Sequence, residues 1–194
     1  KYANPATLPT GIGRRVAFSP SGTDIAVAHL TSPTISAYPW SSLGFGTKYA
    51  DPVTLPAGTF SLDVTFSPSG ADIAIVHQSS PRVSVYPWSS GFGTKYANPA
   101  TLPTDVGRGV TFSPSGTDIA VAHSIAVGGT PGISVYPWSS GFGTKYANPA
   151  IFPGSSVDVA FSPSGTDIAV ISNTSPRIHA YPWSSGFGTK YSDP

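Results

Sequence analysis

The sequence has no cysteine, no methionine and no glutamate among its 194 residues. Without a thiol, disulfides, thiolate metal sites and a cysteine nucleophile are all excluded. Without glutamate, every side-chain carboxylate is an aspartate, and no carboxylate pair stands out along the chain. Charged residues make up only 10 %, and the net charge of +1 comes with no basic run. The electrostatic footprint of a nucleic-acid binder is therefore missing. No apolar stretch is long enough for a membrane-spanning helix, and no signal peptide is visible. Phosphate-loop, His-Glu-x-x-His and Gly-x-Ser-x-Gly signatures are also missing. With no methionine at residue 1, the chain is expected to be processed or to be a segment of something longer.

What the chain does have is repetition. Phe-Ser-Pro-Ser-Gly occurs at 18–22, 66–70, 112–116 and 161–165. Tyr-Pro-Trp-Ser-Ser occurs at 38–42, 86–90, 136–140 and 181–185. Lys-Tyr-x-x-Pro starts at Lys1, Lys48, Lys95, Lys145 and Lys190. Successive tryptophans, Trp40, Trp88, Trp138 and Trp183, stand 48, 50 and 45 residues apart. A period in this range marks a solenoid, a propeller or an array. Such units rarely fold alone, so the whole chain is expected to be one cooperative domain.

The first unit reads as strands. Val16-Ala17-Phe18 runs into Ser19-Pro20-Ser21-Gly22, where proline presets φ and glycine accepts φ above zero. Asp24 to His29 follows, with Ile25 and Val27 on one face and Ala26 and Ala28 on the other. Thr34 to Tyr38 is a third strand, closed by Pro39. Lys48 to Pro56 is a fourth, extended piece whose prolines place it at a sheet edge. A second strand that is apolar on both faces needs sheet packed on both sides, as in radial blades.

These residues resemble the blade pattern of WD-repeat and YVTN-type β-propellers, of the looser bacterial, phage or environmental surface-protein kind. The resemblance rests on Val16 to Gly22, Ile25 to Ala28 and Ile35 to Tyr38, and on their copies in all four units. The turn carries Ser21, Ser69, Ser115 and Ser164 where the family usually has aspartate, and the third strand ends in Tyr-Pro-Trp rather than Trp-Asp. The expected fold is all-β: a four-bladed propeller of four antiparallel strands per repeat of about 47 residues. Blades are expected at about 14–56, 61–103, 107–153 and 157–194, with 1–9 as an extra outer strand closing the last blade.

By the family's topology the turns after the first and third strands share one face, and these are nearly constant. The loops on the other face vary, and one of them, 124–132, is longer than its copies. Arg14, Arg15, Asp63, Arg82, Arg108, Asp158 and Arg177 fall there and would ring the channel mouth as a binding face.

His29, His77 and His123 recur at the end of the second strand, and a packed or capping role is expected rather than a metal. Asp24, Asp72, Asp118 and Asp167 are expected to bond to turn backbone. The tryptophans suit either the core or stacking on sugar rings. Asn173-Thr174-Ser175 is a glycosylation sequon. With so thin an acid–base inventory, the expected function is non-enzymatic: a structural or adhesive module of a virion, cell surface or extracellular fibre, or else a sugar-binding lectin. No cofactor or metal is expected. The expected partners are proteins, further copies joined head to tail through Lys1 to Pro9, or a glycan, with no nucleic acid and no membrane insertion.

Overall fold

The computed structural model describes residues 2–125 and 130–194. Lys1 and residues 126–129 of the long loop lie outside the described residues. The fold is all-β, with four antiparallel sheets that form four propeller blades. Blade 1 contains β1 (Gly13–Phe18), β2 (Asp24–His29), β3 (Ile35–Ser41) and the two-residue β4 (Gly44–Phe45). Blade 2 contains β5 (Ser61–Phe66), β6 (Asp72–His77) and β7 (Val83–Pro87). Blade 3 contains β8 (Gly107–Phe112), β9 (Asp118–His123) and β10 (Ile133–Pro137). Blade 4 contains β11 (Ser156–Phe161), β12 (Asp167–Ser172) and β13 (Ile178–Pro182).

The Ser-Pro-Ser-Gly segments are the expected turns. Gly22 N–H donates to the Ser19 carbonyl at 2.9 Å, and the bond repeats in the other blades. The four turn glycines sit at φ of +71 to +75°, where any side chain would be strained. The register then sorts the side chains. Phe18 pairs with Ile25 and Ile25 with Tyr38, while Ala17 pairs with Ala26 and Ala26 with Ala37. Each blade thus has one face of large side chains and one of small ones.

The outer position of each blade is thinner than the sequence suggests. Among the described residues only blade 1 forms a ladder there, pairing Trp40 with Phe45 and Ser41 with Gly44. The other blades keep single bridges, Trp88 to Phe92, Trp138 to Phe142 and Trp183 to Phe187. One more backbone bond follows in each blade, such as Tyr49 N–H to the Ala37 carbonyl at 2.9 Å. A proline three residues after each of these tyrosines, lacking an N–H group, keeps the ladder from extending.

Successive blades pack small face against large face. Ala26, Ala28, Ile35 and Ala37 of blade 1 form one buried cluster with Phe66, Ile75, Tyr86 and Trp88 of blade 2. Blades 2 and 3, and blades 3 and 4, repeat the arrangement. Among the described residues no such cluster joins blade 4 to blade 1. The large face of blade 1 leaves Val16 54 % and Phe18 51 % exposed, and the small face of blade 4 leaves Ile171 44 % and Ile178 40 % exposed. Residues 2–9 do not close blade 4. They lie on blade 1, where Tyr2 meets Trp40 edge to face at 5.0 Å and the Thr7 carbonyl accepts from Tyr38 Oη at 2.8 Å. The same sequence piece at 49–54 makes both contacts to Trp88 and Tyr86 of blade 2. The Lys-Tyr segments at 48, 95 and 145 therefore bridge two blades, bonding by their backbone to the blade they leave and packing on the tryptophan of the blade that follows.

Candidate functional site

The innermost strands, β1, β5, β8 and β11, all begin with an irregularity in register. The ladder skips a residue between Gly13 and Arg15, Ser61 and Asp63, Gly107 and Gly109, and Ser156 and Asp158. The skipped residues are Arg14, Leu62, Arg108 and Val157. A bulge turns its extra side chain out of the ladder, often towards a binding site. Here all four bulge residues, with Gly13 and Arg15, line one cavity of about 240 Å³. Arg14, Leu62 and Arg108 also line a second cavity of about 240 Å³, with Phe60 and Gln78 on its wall.

Charge is distributed unevenly around this mouth. Arg15 Nε donates to Asp63 Oδ1 at 3.1 Å, and its Nη2 donates to Asp158 Oδ2 at 3.3 Å. The buried Asp63 also accepts backbone N–H groups from Val64 at 2.9 Å and Val110 at 3.0 Å. Burial raises the Asp63 pKa, while the two N–H groups and Arg15 oppose the rise. Asp158 accepts the Val159 N–H at 2.9 Å, and its side chain remains 40 % exposed. Arg108 Nε donates to Ser124 Oγ at 3.0 Å. Arg14 makes no hydrogen bond or ion pair among the described residues, and neither Arg14 nor Arg108 has a carboxylate partner. Two guanidinium groups without a carboxylate partner among the described residues, at one cavity, suit a carboxylate or phosphate ligand.

Five of the seven residues expected at the mouth are thus brought together: Arg14, Arg15, Asp63, Arg108 and Asp158. Arg82 and Arg177 are not among them. They follow Pro81 and Pro176 at φ of 74 and 75°, and brace their own loops by donating to the Gln78 and Asn173 carbonyls. Leu62 and Val157 belong to the cavity wall although charge-based reading passes over them. Their signal in the sequence is position: they stand where blades 1 and 3 have Arg14 and Arg108.

Other recurrent polar residues serve the scaffold. The rings of His29, His77 and His123 are buried between a loop carbonyl at Nδ1 and Ser36, Ser84 or Ser134 at Nε2, the latter at 3.0 Å in each case. Burial lowers all three pKa values, that of His77 to about 4. The recurrent aspartates accept side-chain donors instead of the expected turn N–H groups. Asp72 takes Tyr96 Oη at 2.8 Å and Trp138 Nε1 at 3.0 Å. In the turn itself, Ser67 Oγ accepts the Asp72 N–H at 3.0 Å. Trp88, Trp138 and Trp183 are each 6 % exposed, which removes them from sugar stacking. Among the described residues no cluster of three metal-ligating side chains is present.

Neither a protein-family model nor a curated protein matches this sequence. Solved structures do match the fold. A Bacteroides uniformis protein for which 6-phosphogluconolactonase activity is inferred aligns at a TM-score of 0.68 and 17 % identity, over 98 % of this chain and 57 % of that one. The periplasmic gluconolactonase of Pseudomonas aeruginosa aligns at 0.70 and 17 %, over 94 % and 53 %. A Desulfotomaculum acetoxidans protein of unknown function aligns at 0.67 and 14 %, over 92 % and 55 %. The chain therefore spans just over half the length of the structures it matches. These neighbours correct two expectations. A structural or adhesive module, and a chain without enzymatic character, were inferred from a thin acid–base inventory. The fold is instead one that proteins named as lactone hydrolases use.

Proposed function

We propose that the arginine-lined mouth binds a small anionic sugar lactone and hydrolyses it. The observation that carries this reading is the convergence of Arg14 and Arg108, on bulges of different blades, at one cavity with a half-exposed Asp158 nearby. Arg14 and Arg108 hold the acidic group of the ligand by charge-assisted hydrogen bonds. Asp158, the more accessible of the two carboxylates, takes a proton from an attacking water. The water oxygen adds to the lactone carbonyl carbon, and Arg15 lies beside Asp158 to stabilise the oxyanion that forms. The ring C–O bond then breaks, and the leaving alkoxide takes up the proton. The product is a hydroxy acid that ionises and releases one proton per turnover. Lactonase neighbours of the same fold favour this class of reaction.

Two further elements belong to the same proposal. The four units are YVTN-like propeller repeats, and the protein works outside the cytoplasm, in keeping with one periplasmic neighbour.

The reading is tested by base uptake at constant pH with 6-phosphogluconolactone or gluconolactone as substrate. Proton release faster than the spontaneous rate, lost in Asp158→Asn, is expected. A rate equal to spontaneous opening for both lactones would contradict it.

A further inference from the structure

The mouth has an apolar side that opening a sugar lactone does not use. We infer that its ligand is an amphipathic anion, a small organic molecule with one aryl or branched alkyl group beside its charge. This deepens the proposed function and rests on its anion site, though not on hydrolysis.

The apolar side is built on a backbone frame that all four units share. One position of the frame precedes the innermost strand: Ile12, Phe60, Val106 and Ser155. A second is the bulge: Arg14, Leu62, Arg108 and Val157. A third follows the second strand: Leu30, Gln78, Ser124 and Asn173. In every unit the N–H at the third position donates to the carbonyl at the first, at 3.1 Å in blades 1 and 2 and 2.9 Å in blades 3 and 4. The backbone is thus constant, while no two units carry the same three side chains. The Ser-Pro-Ser-Gly turn, by contrast, is identical in all four.

Blades 1, 2 and 3 place large apolar residues on this frame. Leu30, Phe60, Leu62 and Val106 converge on the second cavity of about 240 Å³, with Gln78 beside them. The cavity centres on blade 2, whose two faces are both packed against neighbouring blades. None of the four apolar residues belongs to the buried clusters between blades, and Phe60 is 38 % exposed. Their side chains therefore line the cavity instead of serving the core. Arg14, Leu62 and Arg108 line the first cavity as well, so the two cavities share the guanidinium groups as a common wall.

That arrangement divides a ligand into three parts. Its anionic group sits at Arg14 and Arg108, and the bond from Arg108 Nε to Ser124 Oγ at 3.0 Å leaves the Nη groups of Arg108 for it. A polar, reacting part fits the first cavity, where Arg15 lies beside Asp158. The second cavity suits neither charge nor hydroxyl groups. Gln78 is the one uncharged polar side chain on its wall among the described residues, so sugar hydroxyls placed there would lose water and find few partners. An aryl or branched alkyl group gains by leaving water against Leu30, Phe60, Leu62 and Val106. Charge complementarity thus names the anion, and the apolar wall names its substituent.

The test is isothermal titration calorimetry with phenyl phosphate, methyl phosphate and phenol, at a pH where both phosphates are dianions. Wild type is expected to bind phenyl phosphate about 10-fold more tightly than methyl phosphate, and phenol far more weakly than phenyl phosphate. Phe60→Ser with Val106→Ser puts at both positions the residue that blade 4 carries at Ser155, so the frame is kept, which circular dichroism checks. That double variant should lose the preference and bind methyl phosphate as wild type does. Arg14→Ala with Arg108→Ala should weaken both phosphates. Equal affinity of wild type for the two phosphates, or a preference that survives Phe60→Ser with Val106→Ser, would overturn the inference and leave the anion site standing. Phenol binding as tightly as phenyl phosphate would also overturn it. Binding of neither phosphate would overturn the anion site and the inference together. The expected preference without any lactone turnover would support the inference and remove hydrolysis alone.

Discussion

The indole Nε1 of Trp138 donates to Asp72 Oδ2 at 3.0 Å, a bond that crosses from the third blade to the second. The carboxylate lies at the meeting point of two blades and also holds Tyr96, whose ring packs on Trp138. Strength at this point varies among the copies for a legible reason. Asp24 Oδ2 is taken by Thr23 Oγ1 at 2.9 Å, and Trp88 Nε1 has no partner among the described residues. Asp118 Oδ2 is shared by Thr117 and Trp183, both at 3.3 Å. Blade 2 has Ala71 in place of the threonine, so Asp72 is free for the indole.

Asp72→Ala should therefore be costly. It strands the Tyr96 hydroxyl and the Trp138 N–H in a buried place, and about 2–4 kcal/mol of stability should be lost. Thr23→Ala should be close to neutral, within about 0.5 kcal/mol, because Asp24 can then accept Trp88. Urea unfolding measures both. A Thr23→Ala loss as large as that of Asp72→Ala would refute the competition.

The tryptophans should separate into two classes. Trp138→Ala removes a ring packed among Tyr96, Phe112 and Phe142 and should cost about 3–5 kcal/mol. Trp40, on the open face of blade 1 and only part-buried, should cost about half as much. Equal losses in denaturant titrations of the two variants would show that the blade 1 face is as well covered as the others.

Much of the fold is readable in the residues. Ser-Pro-Ser-Gly specifies its turn, and the alternation of Ile25 and Val27 with Ala26 and Ala28 specifies a sheet packed on both sides. The link between Asp72, Tyr96 and Trp138 was not readable from local pattern, because its members lie 24 and 66 residues apart. Only the recurrence of Lys-Tyr 24–28 residues after the Gly-x-Asp aspartate in every unit hints at it. The open ends were hidden for a related reason. Val16 and Phe18 match their inner-blade copies, so no change of residue type marks which blade faces are open. At the mouth, Arg14 and Arg108 were visible as departures between copies. The bulge that aims them was not, because it leaves no distinctive residue type.

Stability should fall in mild acid. Burial holds His29, His77 and His123 below their ordinary value, His77 at about 4. Each folded pKa lies below the unfolded value near about 6.5. Their contribution is fully present above that pH and is lost as pH falls towards about 4. Asp63, raised by burial, has the opposite sign, and its contribution is present at low pH and lost as pH rises through its folded value. The melting temperature should therefore be level between about pH 7 and 8 and should drop below about 6.5. His77→Gln should flatten the drop, and an unchanged slope in that variant would contradict the assignment.

The arginine-lined mouth is tested most directly by comparing lactone turnover with and without a phosphate on the substrate. Steady-state rates for 6-phosphogluconolactone and gluconolactone should differ in kcat/KM by about 10-fold or more in favour of the phosphorylated substrate. Arg14→Ala with Arg108→Ala should abolish that preference while the chain stays folded. Equal rates on both substrates, or a preference that survives loss of both arginines, would contradict an anion site at the mouth.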